Sequence, residues 1–262
     1  MILDHCPFNF SLNFVKPLFH FLKMSSTDLK FFMARVADQA ERYEDVVSNL
    51  NEIIDTDPKL SPDERNLLSV AYKALTGSRR SALRTVNAFL EDESVKSINE
   101  RHEKLTELQD KLIKELVQLC NELIALIDGK LLPCADDAIS KVFYQKLKAD
   151  YYRYSVEFVS DEQKKDGSDK AKAAYEEAMK IATSELTKAN PSYLGLALNY
   201  SVFLYEIIGQ KKEAIDLADK SFKEAVDLLD ELTEDEYSEA TLILQLLKDN
   251  VSLWTEEQGD AQ

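Results

Sequence analysis

The sequence predicts an all-α fold: nine helices, successive ones antiparallel, stacked as pairs that curve around a groove. Three observations carry that reading. Glycine and proline are scarce, six of each among 262 residues, so the chain holds few helix breakers. From residue 27 onward apolar residues recur at three- and four-residue steps with little interruption. Helix-start signals head several of those runs, and the links between them are short enough to make neighbours antiparallel.

Each element follows from a local signal. The first helix covers about 27–41, after Ser25-Ser26-Thr27-Asp28, with Phe31, Phe32, Ala34, Val36 and Ala40 as its apolar set. The second runs over about 43–56 and ends ahead of Asp57-Pro58. The third opens at Ser61-Pro62-Asp63-Glu64, with the proline at the first helical position, and continues to about residue 93. The fourth spans about 97–128 and stops at Gly129, and the fifth spans about 135–160, after Pro133. A charged loop is expected at 161–169, where Gly167 interrupts a polar run. The sixth helix covers about 170–187, the seventh runs from Asn190-Pro191-Ser192 to Gly209, and the eighth covers about 211–231. The ninth opens at the capping-box pattern Thr233-Glu234-Asp235-Glu236 and ends near Glu256.

The net charge of −16 argues against a nucleic-acid or anionic-membrane partner, since each requires a basic face. A small basic pocket on an acidic body stays compatible with it. Apolar residues make up 45% of the chain, enough for a sizeable core. Residues 1–24 stand apart. They are rich in Phe and Leu, broken by Pro7 and Pro17, and carry Asp4 where a secretory signal would be basic. They are also too short and interrupted to span a bilayer, and are expected to be an atypical N-terminal extension. Residues 25–256 then form the domain and 257–262 a short C-terminal tail. Cys6, Cys120 and Cys134 make no CxxC and no disulfide framework, which points to a reducing compartment, cytoplasmic or nuclear. His5, His20 and His102 are scattered, and the chain has no HExxH, no Cys/His cluster and no Gly-rich phosphate loop. No metal, cofactor or catalytic residue is therefore expected, which leaves a helical-bundle enzyme without a site.

The most informative stretch is Asp150-Tyr151-Tyr152-Arg153-Tyr154. Asp150 lies three residues before Arg153 and Glu157 four after it, so both carboxylates share the arginine's helix face and can hold the guanidinium. An oriented arginine beside a tyrosine hydroxyl suits a phosphate, because the planar fork matches phosphate oxygens in pairs. The same residues also fit a solvated face of ordinary ion pairs. In the third helix Lys73 and Arg80 are seven apart on one face, neither with a carboxylate three or four residues away. They are an anion-binding pair or a basic patch on solvent. In the seventh helix Leu198 and Val202 share a face beside Asn199, with Glu206 on the same flank. In the ninth, Leu242, Leu246, Asn250, Leu253 and Trp254 fall on one stripe. An asparagine inside an apolar stripe needs a partner, either the backbone of an extended peptide or local groups of a packed bundle. Tyr205, Gly209 and Ala214 carry a spacing similar to tetratricopeptide repeats, although no second copy follows at a fixed period. A helical scaffold for unmodified peptides is thus the alternative.

Several of these segments together resemble the 14-3-3 family over roughly residues 25–256. They are Asn66-Leu-Leu-Ser-Val-Ala-Tyr-Lys, Gly77-Ser-Arg-Arg-Ser, Ser140-Lys-Val-Phe-Tyr, Asp150-Tyr-Tyr-Arg-Tyr, Gly195-Leu-Ala-Leu-Asn-Tyr-Ser-Val-Phe and Thr241-Leu-Ile-Leu-Gln-Leu-Leu-Lys-Asp-Asn. The resemblance implies nine antiparallel helices per subunit in a curved bundle with a concave amphipathic groove. It also implies a non-catalytic adaptor that clamps phosphoserine or phosphothreonine clients in signalling and regulates their activity, location or partners. By the same resemblance, Lys73, Arg80, Arg153 and Tyr154 form the phosphate pocket, and Asn199 and Asn250 hold the peptide backbone. Leu198, Val202, Leu242, Leu246 and Leu253 form the apolar wall, supported by Glu206 and Trp254. Lys146 lies near the groove, with Asp150 and Glu157 behind the arginines. The family pattern further implies a homodimer, or a heterodimer with another member. Val36 and Ala40 would lie at the interface, and Arg42 with Glu115 and Asp45 with Lys111 would pair across it. Two departures bear on this. Ala82, next to Ser81, stands where several members carry a regulatory serine, and Leu108 stands where a tyrosine is usual. Control of dimerisation by phosphorylation at position 82 is not expected, nor is autoinhibition by a long acidic tail. The extension precedes the interface helix and could disturb assembly.

Overall fold

The computed structural model describes residues 25–259. The expected extension at 1–24 and the last three residues of the tail lie outside them. Among the described residues there are nine helices of at least 13 residues and no strand. These are α1 (Ser26–Gln39), α2 (Tyr43–Thr56), α3 (Pro62–Glu91), α4 (Asn99–Leu126), α5 (Ala138–Ser155), α6 (Asp161–Glu185), α7 (Pro191–Phe203), α8 (Lys211–Val226) and α9 (Glu234–Gly259). A single helical turn, Glu93–Lys96, links α3 to α4. Sequence neighbours pack together, α1 on α2, α3 on α4, α5 on α6 and α8 on α9, and α7 also packs on α9, giving a curved all-α bundle.

The helix starts rest on the chemistry expected of them. Ser25 Oγ accepts from the Asp28 amide at 3.0 Å while Asp28 accepts from the Ser25 amide at 3.1 Å. Ser61 and Glu64 form the same reciprocal box ahead of Pro62, as do Thr233 and Glu236 at α9. Asn190 accepts from the Ser192 amide, with Pro191 in the first helical position. Each box satisfies backbone donors that would otherwise lack partners.

Some expected boundaries move. The fourth helix does not stop at Gly129; α4 passes into a π-helical turn, Ile127–Leu131, that buries Ile127 and Leu131, then a short 3-10 turn. The eighth is shorter than expected, ending at Val226, with a 3-10 turn at Leu229–Glu231. The seventh ends where expected: α7 widens into the π-helical turn Leu204–Ile208, and Gly209 closes it at φ 74°, a left-handed conformation that glycine takes without steric cost.

The largest difference is at 161–169. This run is not a loop but the first part of α6, with Ser160 at its N-cap position. A polar run is no obstacle to a helix whose outer face is solvated, and the Asp166–Lys170 pair at 2.7 Å is spaced for one. Gly167 is present for space rather than for a bend. It is buried, and a Cβ there would lie 2.2 Å from Val156 Cγ1. The missing side chain lets the start of α6 close onto the end of α5.

The apolar residues form two cores that meet at α5. Val142 and Ala149 face the C-terminal core, and Tyr144, Leu147 and Tyr151 face the N-terminal one. In the N-terminal core Cys120 is fully buried, as expected of a packing residue, and burial pushes its thiol up to about 12. Covered on both sides, α5 is held rigidly, and the polar residues at its C-terminal end lie at the seam between the cores.

Candidate functional site

The centre of the site is Asp150, only 4% exposed. Burial by itself would raise its pKa. Lys146, Arg153 and the Tyr175 hydroxyl outweigh that and hold it below the usual carboxylate range. Lys146 Nζ donates to it at 3.0 Å and Arg153 Nη2 at 3.4 Å. The Tyr175 hydroxyl donates to it in a short hydrogen bond. Asn199 Nδ2, from α7, lies 2.8 and 3.0 Å from its two oxygens. One carboxylate thus ties together α5, α6 and α7.

Arg153 stays charged. Burial would lower its pKa, but Tyr175 and Asp150 raise it. Its guanidinium carbon lies 4.8 Å from the Tyr154 ring centroid, and that of Arg80, reaching over from α3, lies 4.2 Å from the same centroid. Burial, with Asp150 nearby, raises the Tyr154 pKa, so its hydroxyl is a neutral donor at neutral pH. Two cations on one ring are attracted by its electron-rich faces, yet repel one another. Two guanidiniums gathered on one phenol ring are suited to an anion; the Arg153 Nε is itself buried and has no acceptor among the described residues.

Glu157 behaves differently from its expected role. It does not hold Arg153. α5 ends at Ser155, so the four-residue spacing no longer sets a shared helix face. Glu157 instead accepts from Arg80 Nε at 2.5 Å and Arg84 Nη2 at 2.8 Å, stapling α3 to the end of α5. Arg80 is therefore not unneutralised, as its own helix suggested; its partner comes from another element. Lys73 is exposed, and no carboxylate among the described residues pairs with it.

Along α7, Leu198, Asn199 and Val202 are half-buried, and Glu206, in the π-helical turn that follows, is exposed. On α9, Leu242, Leu246 and Leu253 are exposed, at 66%, 45% and 53%, beside the half-buried Asn250. Trp254 does not share their stripe. It is buried with Ala240, Leu244 and Leu247, and stacks on Tyr205 with centroids 4.5 Å apart. The offsets place it near Leu253 and Asn250 along the chain, but the core claims the adjacent face. Sequence reasoning missed Tyr175. It is the one large residue in a stripe of buried alanines, Ala171, Ala174, Ala178 and Ala182, and that contrast was the available signal.

Residues 33–255 match the family model described as 14-3-3 protein. The chain is 42% identical over 236 residues to the checkpoint signal transducer rad24 of Schizosaccharomyces pombe, spanning 90% of this chain and 87% of that protein. It is 42% identical over 237 residues to 14-3-3 protein 2 of Entamoeba histolytica, spanning 90% and 99%. Against 14-3-3-like protein B of Hordeum vulgare it is 42% identical over 234 residues, spanning 88% and 89%.

Proposed function

The chain belongs to the 14-3-3 family, non-catalytic phosphopeptide-binding adaptors, and from that premise we propose how its own residues perform the task. Lys73, Arg80, Arg153 and Tyr154 grip the phosphate of a phosphoserine or phosphothreonine client. Asn199 and Asn250 hold the backbone beside it, and Leu198, Val202, Leu242, Leu246 and Leu253 form a wall that accepts varied flanking residues. The observation that carries this reading is the pair of guanidiniums from α3 and α5 gathered on the Tyr154 ring. Hydrogen bonds to a charged group contribute about 1.5–3 kcal/mol each, so two of them separate phosphorylated from plain peptide by roughly a hundredfold or more. Calorimetry with one peptide in both forms should show that ratio. Equal affinities would overturn the reading and favour the tetratricopeptide-like scaffold.

We also propose a dimer built on α1. Leu29, Phe32, Met33 and Val36 leave an apolar face of α1 exposed, and Val36 lines a cleft of about 730 Å³ between α1 and α3. Ala40, which caps α1, and Arg42, at the N-cap position of α2, are exposed. Within one subunit Arg42 pairs with Asp45, and Lys111 lies 4.0 Å from Glu115. All four sit at the surface, and Glu115 also accepts from Arg79 Nε at 3.4 Å, so pairing with a second subunit exchanges that contact as well. Sedimentation at micromolar concentration should give twice the 29.9 kDa chain mass, and a monomer would refute the dimer.

A further inference from the structure

Asp150 Oδ1 is crowded: Arg153, Tyr175 and Asn199 all reach this one oxygen, which offers about two lone pairs. Lys146, Asn199, Tyr175 and Arg153 converge on its two oxygens, Asn199 lying close to both. Of these contacts the one from Arg153 is the longest, at 3.4 Å. Tyr175 cannot withdraw: it is fully buried, with its ring 5.2 Å from both Tyr200 and Phe203. An arginine closed tightly onto a carboxylate presents a neutralised fork to an incoming phosphate. Here two uncharged donors, the phenol and the amide, occupy the carboxylate first.

We propose that Tyr175 and Asn199 are positioning residues for the phosphate grip. By holding Asp150 they keep Arg153 oriented but incompletely paired, so its charge remains available to an anion. This rests on the phosphate role given to Arg153 above and deepens it. Asn199 gains a second duty beside the peptide backbone, and the recognition of phosphate and of backbone becomes interdependent through one buried carboxylate.

Inorganic phosphate is the discriminating probe, because it has no peptide backbone for Asn199 to hold. It is titrated into the full chain and followed through the arginine Nε–Hε resonances. Asn199→Ala and Tyr175→Phe should each weaken phosphate by about three- to tenfold, with helicity retained and a lowered melting temperature, since a donor to a buried carboxylate is lost. Each should also shift the Arg153 signal before any phosphate is added. Should Tyr175→Phe fail to fold, Asn199→Ala, at a half-buried position, carries the test alone. Unchanged phosphate affinity in Asn199→Ala overturns the proposal while leaving the phosphate site in place. If the original chain binds neither inorganic phosphate nor phosphopeptide, the site itself is wrong and this inference falls with it.

Discussion

Lys73→Glu is expected to abolish phosphopeptide binding while helicity and melting temperature stay unchanged. The lysine is exposed and has no ion-pair partner among the described residues, so its removal breaks nothing in the fold. In the groove the reversal counts twice: it removes one charge-assisted contact, about 1.5–3 kcal/mol, and replaces it with repulsion of a dianion. A loss beyond about a hundredfold follows. Calorimetry paired with far-UV circular dichroism checks both halves, and an unchanged affinity would remove Lys73 from the pocket.

Gly167→Ala should destabilise the protein by about 1–3 kcal/mol, against the usual direction of such a change. In a helix interior, alanine normally gains about 0.4–1 kcal/mol over glycine. At Gly167 the new methyl would sit 2.2 Å from Val156 Cγ1, and Val156 is itself buried, β-branched and stiff. Gly77→Ala is the control. Gly77 lies within α3, and a Cβ at that position would meet nothing within 4 Å, so the same change there should be neutral or stabilising. Urea denaturation of both variants reads the contrast, and a stabilised Gly167→Ala would show that the contact between α5 and α6 yields easily.

The parts of the structure written in local chemistry were legible in the sequence. The boxes at Ser25, Ser61 and Thr233 announced three helix starts, because a capping box involves residues only three apart. The parts set by distant contacts were not. Nothing near Gly167 says that Val156 will press on it, so a polar run with one glycine reads as a loop. Glu157 lies four residues from Arg153, yet the helix ends between them and the carboxylate turns to Arg80, 77 positions away. In α9 the periodicity identified apolar positions without separating two adjacent stripes, one exposed at Leu242 and Leu246, the other buried at Leu247 and Trp254. In the candidate site, the cluster on α5 could be read from spacing. The convergence of Arg80, Asn199 and Tyr175 on it depends on how three other helices pack.

Trp254 is the only tryptophan in the chain, and it lies flat on Tyr205 at the junction of α9 with the end of α7. The protein therefore carries an intrinsic optical reporter where α9 packs against the turn that ends α7. Its emission, blue-shifted while the indole stays dry against the phenol ring, would move to the red as α9 lifts away from α7. Any loosening of that junction can therefore be followed in solution without attaching a dye.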